Sequence, residues 1–275
     1  MIPAPFEYEV AESGEHAVQL LGQHGDDAKL IAGGHSLLPL MRLRFATPST
    51  IVDISRLDDL SYVNDAGDHV AIGALTVHAD VHASEVLKQH CPIVAHTAGE
   101  IGDPQVRHRG TIGGSIAHGD PASDLPTVLL ALDATFVVRG AGGERTAAAG
   151  GFFKGFFEVD LAPDELITEI RVPKTTAGWS YQKFHHRAQD WAVVGVAAVA
   201  SNGGAHVALT NMGEAPMRAG GVEGALSSGA SIEDAAEKAD ENTSPPSDPF
   251  GSAEYRKALS KILARRALEE ALSGR

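Results

Sequence analysis

Between Gly110 and Pro126 the chain collects four glycines, the hydroxyls of Thr111 and Ser115, and the carboxylates of Asp120 and Asp124. Glycine lets a backbone approach a ligand closely and take a positive φ without steric cost. Consecutive glycines beside Thr and Ser therefore point to backbone N–H groups turned toward an anion, with phosphate the first candidate. An earlier segment, Ile31 to Pro39, has the same grammar: an apolar strand, the pair Gly33-Gly34, the hydroxyl of Ser36 and the start of a helix. Two such loops could hold one diphosphate between them.

Other chemistries lose support residue by residue. The dinucleotide fingerprint G-x-G-x-x-G and the phosphate-transfer motif G-x-x-x-x-G-K-[ST] are both absent. Gly113-Gly114-Ser115 resembles a nucleophile elbow, but the final glycine of G-x-S-x-G is replaced by Ala117. His78 and His82 stand one helical turn apart, yet Ala79 occupies the place of the glutamate that a zinc-protease helix needs, so both are expected as surface histidines. The single cysteine, Cys91, excludes an internal disulfide and any four-cysteine cluster within this sequence, and is expected to be a packed thiol. Redox chemistry would then fall to an organic cofactor, and a long ligand with a central diphosphate and two aromatic ends suits the two loops. Flavin adenine dinucleotide (FAD) has that shape.

The elements that position these loops are legible in outline. Ser13 caps a helix carrying Ala17, Val18, Leu20 and Leu21. Lys29–Ala32 is a buried strand running into the first loop, Leu37–Leu43 a short helix, and Thr50–Ile54 a second strand. Val70–Gly73 is a strand and Thr76 opens a helix through Leu87. Ile93–Ile101 is another helix, ended by Gly102-Asp103-Pro104. After the second loop comes a helix with Asp124 near its start. There the carboxylate is either a favourable helix cap or an acceptor for cofactor hydroxyls, and the two roles are compatible. Thr135–Arg139, Arg145–Ala148 and Glu165–Val172 read as a largely antiparallel sheet. Beyond a linker at Pro173–Gly178, three β-type runs end at Thr210. Helices follow, one capped by Ser231 and the last carrying Leu259, Ile262 and Leu263.

These segments also carry a resemblance. Ala32-Gly33-Gly34-His35-Ser36 and Thr111-Ile112-Gly113-Gly114-Ser115 are joined by Ile101-Gly102-Asp103-Pro104-Gln105-Val106-Arg107, Ala117-His118-Gly119-Asp120-Pro121 and Asp164–Ile170. Together they resemble the FAD-binding medium subunits of the molybdenum hydroxylase (xanthine oxidase) family, above all those of the aerobic carbon monoxide dehydrogenase type, over essentially the whole chain. The resemblance implies an α+β fold. Residues 1–175 would form a two-lobed FAD-binding domain of the vanillyl-alcohol-oxidase (PCMH) type, with lobes of about 1–55 and 56–175. Residues 176–275 would add a three-stranded antiparallel sheet and a helical bundle.

It further implies that residues 32–36 and 111–115 wrap the FAD diphosphate, that Asp124 meets ribityl or ribose hydroxyls, and that Leu166 and Lys183 lie near the isoalloxazine. Trp191, after Asp190, stands where the family usually places a tyrosine beside the flavin. Stacking survives that change and the phenol does not; a core or interface aromatic is the alternative. Implied partners are a large molybdopterin-containing subunit that oxidises and selects the substrate, and a small subunit whose two [2Fe-2S] clusters feed electrons to the FAD. The complex would be a dimer of heterotrimers with a quinone or other acceptor. The competing readings are the medium subunit of another molybdenum hydroxylase (nicotine, quinoline, aldehyde or xanthine type), a stand-alone flavin-binding oxidase, and a colourless assembly module whose glycine loops are ordinary turns.

Composition bounds the alternatives. The chain has 275 residues, 43% hydrophobic and 21% charged, as expected for globular domains. A net charge of −14 without a basic block argues against a nucleic-acid surface. There is no apolar run long enough for a membrane span, and the N-terminus lacks a leader's basic and apolar regions. The expected location is cytoplasmic, with quinone delivery bringing it to the inner face of the membrane.

Overall fold

Among residues 2–273, which a computed structural model describes, short β-branched runs and capped helices sort into three larger sheets packed with helices, and a two-stranded ribbon pairs Phe153–Gly155 with Glu158–Val159. Met1, where the leader reading begins, lies outside the described residues. The first lobe holds a parallel sheet in the order Glu7–Val10, Thr50–Asp53, Ala28–Ile31, with the helix Gly14–His24 packed against it. The Ser13 side chain accepts from His16 N and caps that helix, and its buried face is Ala17, Val18, Leu20 and Leu21. The outer strand Glu7–Val10 carried no sequence signal, because its residues are charged or half-exposed.

The second lobe is a five-stranded antiparallel sheet, ordered Val63–Asp65, His69–Gly73, Leu166–Pro173, Thr135–Gly140, Gly143–Ala148. Helices Pro92–Gly99 and Asp124–Ala131 share its core, where Cys91 is fully buried and its thiol is pushed up to about 12 by burial. The helix expected from Thr76 to Leu87 is two helices, His78–Ala83 and Glu85–His90. The break is at Ser84, whose extended backbone lets its side chain accept from Leu87 N and cap the second helix.

The third sheet runs Trp179–Phe184, Val194–Ser201, Gly204–Thr210 and Met217–Arg218. The fourth strand is an addition to the expected three. It is two residues long, too short for an alternation signal, and is fixed where Arg218 pairs with Asp133 and Glu223. One face of this sheet packs on the helix Ala253–Leu272; residues of the other, including Tyr181, Ala197 and Ala208, enter the core of the second lobe. Among the described residues no helix is long and apolar enough to cross a membrane.

Candidate functional site

The strand Ala28–Ile31 ends against a backbone, not a side chain. A Cβ on Gly33 would lie 2.0 Å from the Arg109 carbonyl oxygen and 3.0 Å from Gly110 Cα. The two glycine loops therefore touch, and only glycine permits the approach. Gly34 follows with φ +76°, the left-handed turn that leads into the helix Leu37–Leu43. Around this turn the N–H groups of Gly33, Gly34, His35, Ser36 and Leu37 make no hydrogen bond among the described residues. Half-buried backbone donors left open in this way are rare unless a ligand or water takes them.

The second loop is built differently. Gly110 O accepts from His78 N at 2.9 Å, Ile112 N donates to Thr76 O at 3.0 Å, and Gly113 N donates to Ala74 O at 2.9 Å. Thr111 caps the helix Ile112–His118, its Oγ1 accepting from Gly114 N at 3.1 Å, while Ser115 N donates to Thr111 O. Gly113 is needed for packing, since a Cβ there would lie 2.6 Å from both Ala74 Cβ and Ala74 O. The expectation of anion-facing N–H groups thus describes the first loop. In the second, the N–H groups of residues 112–115 are spent on the protein itself, and the cleft is lined there by the exposed Gly114 and the half-buried Ser115.

Between the loops runs a cleft of about 740 Å³, within the size range of cofactor sites. It brings together Ala32, Gly33, Gly34, His35, Ser36, Thr111, Gly113, Gly114, Ser115, Asp124, Leu166, Lys183 and Trp191. Ile112 is the exception, fully buried in the core. Leu21, Leu30 and Ile54 supply apolar wall from the first lobe, and Leu161, Leu166 and Ile167 from the second. A ligand with a central diphosphate and apolar ends fits: open N–H groups suit the phosphates, and hydrocarbon lies on both lobes.

Asp124 and Lys183 meet as a buried ion pair, Nζ to Oδ2 2.8 Å, each side chain 5% exposed. Tyr181 OH donates to the other carboxylate oxygen at 2.6 Å, and Lys183 also donates to Glu100 O at 3.0 Å. Burial pushes the Asp124 carboxyl up, against the pull of Lys183 and Tyr181, and pushes the Tyr181 phenol well up so that it remains a donor. Both Asp124 oxygens already have protein partners, so this group ties the helix after the second loop to the third sheet as well as lining the cleft. Tyr181 went unnoticed in the sequence; its i, i+2 relation to Lys183 on one strand was the available signal.

Trp191 is 59% exposed at the cleft, on a loop whose end is held where Asn211 Nδ2 donates to Ala192 O at 2.8 Å. His78 departs from expectation. It is 3% exposed, lines the cleft, and places Nε2 3.1 Å from Ser115 Oγ, whereas His82 is exposed as expected. Its burial follows from Val77 pairing with Thr111, which draws the helix start under the second loop.

Residues 4–175 match the family model described as FAD binding domain in molybdopterin dehydrogenase, and residues 179–271 match the CO dehydrogenase flavoprotein C-terminal domain. The carbon monoxide dehydrogenase medium chain of Hydrogenophaga pseudoflava is 42% identical, with 98% of each chain covered. The glyceraldehyde dehydrogenase medium chain of Sulfolobus acidocaldarius is 39% identical over 98% of this chain and 99% of that one. A solved carbon monoxide dehydrogenase structure from Hydrogenophaga pseudoflava, lacking the Mo-pyranopterin moiety of its cofactor, superposes with a TM-score of 0.95 at 43% identity, covering 100% of this chain and 99% of that one. The α+β architecture is accordingly the PCMH-type FAD-binding domain followed by the flavoprotein C-terminal domain.

Proposed function

Since the chain belongs to the family of FAD-binding medium subunits of molybdopterin dehydrogenases, an oxidoreductase subunit whose cofactor is FAD, we propose that it is the electron outlet of a carbon monoxide dehydrogenase-type complex. The observation that carries the assignment to this cleft is the set of open N–H groups from Gly33 to Leu37, facing a second glycine loop across a cleft of cofactor size. FAD held there would supply the redox chemistry that links [2Fe-2S] clusters of a partner to a quinone or other acceptor.

The chain's own residues bind and orient. Residues 32–36 cradle the diphosphate with backbone donors, and Thr111, Gly113, Gly114 and Ser115 close over it with one hydroxyl and a bare backbone. Ile112 contributes by anchoring that loop in the core. Asp124 presents its edge to sugar or ribityl hydroxyls while Lys183 and Tyr181 hold it in place. Leu166 and Trp191 give the ring system an apolar bed and a stacking face. The domain division at 175/176, with lobes meeting near residue 55, is part of the same proposal.

The partners proposed are a large molybdopterin subunit and a small [2Fe-2S] subunit, paired as a dimer of heterotrimers in the cytoplasm, with delivery to a quinone at the inner membrane face. Carbon monoxide is favoured as substrate by the relatives' likeness. The 39% identity to a glyceraldehyde dehydrogenase chain supports the view that the large subunit makes that choice. Purifying the native complex, analysing its metals and testing reductants settles the matter. Co-purifying molybdenum and iron with a flavin bleached by carbon monoxide is the expected result. A colourless chain that takes up no FAD would contradict the proposal; a flavin bleached by another substrate would reassign the complex.

A further inference from the structure

Behind the second loop, His78 grips it twice: its backbone N–H donates to Gly110 O at 2.9 Å, and its Nε2 lies 3.1 Å from Ser115 Oγ. The ring is almost fully buried, and Nδ1 has no hydrogen-bond partner among the described residues. A neutral imidazole carries one N–H, and the two possible tautomers have opposite consequences for Ser115. With the proton on Nδ1, a buried N–H would go unpaired, and Ser115 would spend its own proton on Nε2, turning only lone pairs to the cleft. With the proton on Nε2, the unpaired group is an acceptor, the less costly and commoner orphan. Ser115 then receives a hydrogen bond and keeps its proton, for which no acceptor exists among the described residues.

Resting on the assignment of this cleft to FAD, we propose that His78 is a positioning residue: its Nε2–H donates to Ser115 Oγ and makes the Ser115 hydroxyl an outward donor to the cofactor's diphosphate. Burial, with His35 and Arg107 nearby, lowers the His78 pKa to about 4, so the ring stays neutral at physiological pH. The same pair superficially forms a serine–histidine dyad. Among the described residues no carboxylate orients Nδ1, and the ring is a poor proton acceptor, so the contact is not built for nucleophilic attack.

Two measurements on the full chain test this. ¹⁵N NMR of the imidazole should find Nε2 protonated and Nδ1 bare. FAD affinity, read by flavin fluorescence, should fall about ten- to a hundredfold in both Ser115→Ala and His78→Leu, as for a hydrogen bond to a charged group. The double variant should be no weaker than either single one, because both remove the same donor. His78→Gln, which can offer an N–H at the Nε2 position, should restore most of the affinity. Riboflavin, which lacks the diphosphate, should bind all variants alike. A proton on Nδ1, or wild-type FAD affinity in a folded His78→Leu, overturns this inference alone. A wild-type chain that binds no FAD overturns it together with the functional assignment.

Discussion

The two glycine loops look alike in sequence and behave in opposite ways in the fold. In the first, Gly34 takes a left-handed φ and five consecutive N–H groups find no partner among the described residues. In the second, Gly113 has an ordinary φ, and the N–H groups of residues 112–115 all bond to Ala74, Thr76 or Thr111. Paired glycines thus serve two physical ends: one pair frees donors for a ligand, and the other lets a helix lie against a strand end. The first loop offers backbone charge complementarity; the second offers a rigid wall with one hydroxyl on it.

Substitutions at matched positions test that contrast. The largest effect is expected for Gly33→Val, which drives a side chain into the Arg109 carbonyl 2.0 Å away. No FAD should remain after gel filtration, and the melting temperature should fall; retained flavin would mean that the loops need not touch. Next comes Lys183→Met. It strands the buried Asp124 carboxylate beneath the second loop, and should cost about 3–5 kcal/mol in denaturant unfolding, with Asp124→Asn added to it recovering part of the loss.

A pH effect of similar origin belongs to His78. Its folded pKa, about 4, lies below the ordinary value of about 6.5, so acid favours the unfolded chain. Its stability contribution is complete above pH 6.5 and is lost as pH falls toward 4, approaching about 3 kcal/mol. Wild type should therefore lose stability relative to His78→Gln across that window, and parallel curves would contradict the buried neutral ring. The smallest effect is expected for Gly114→Ala. Its Cβ would press on Thr111 Oγ1 at 2.8 Å and weaken a helix cap by about 1 kcal/mol, lowering FAD affinity without abolishing it.

The strand entering the first loop, the caps at Ser13 and Ser231, and the residues around the cleft were legible because each rests on local chemistry: apolar runs, capping hydroxyls, glycine pairs. What stayed hidden depends on long-range contact. His78 read as a surface residue because the helix pattern says nothing of Thr111, which pulls it inward. Tyr181 shares a strand face with Lys183, but its bond to Asp124 spans 57 positions, and no spacing rule reaches that far. Ile112 sits inside a loop motif yet points into the core, since a capped helix beginning at that residue turns its apolar side chains to the sheet. The break at Ser84 turned on a serine that satisfies a backbone donor better as a cap than inside a helix.

The contrast between the loops is most directly tested by titrating ¹⁵N-labelled, flavin-free chain with FAD and following the backbone amides. The amide protons of Gly33, Gly34, His35, Ser36 and Leu37 should shift strongly downfield as they bond phosphate oxygens, while those of Ile112, Gly113 and Ser115 move little because their partners do not change. Large shifts confined to the second loop, with the first unmoved, would contradict the account.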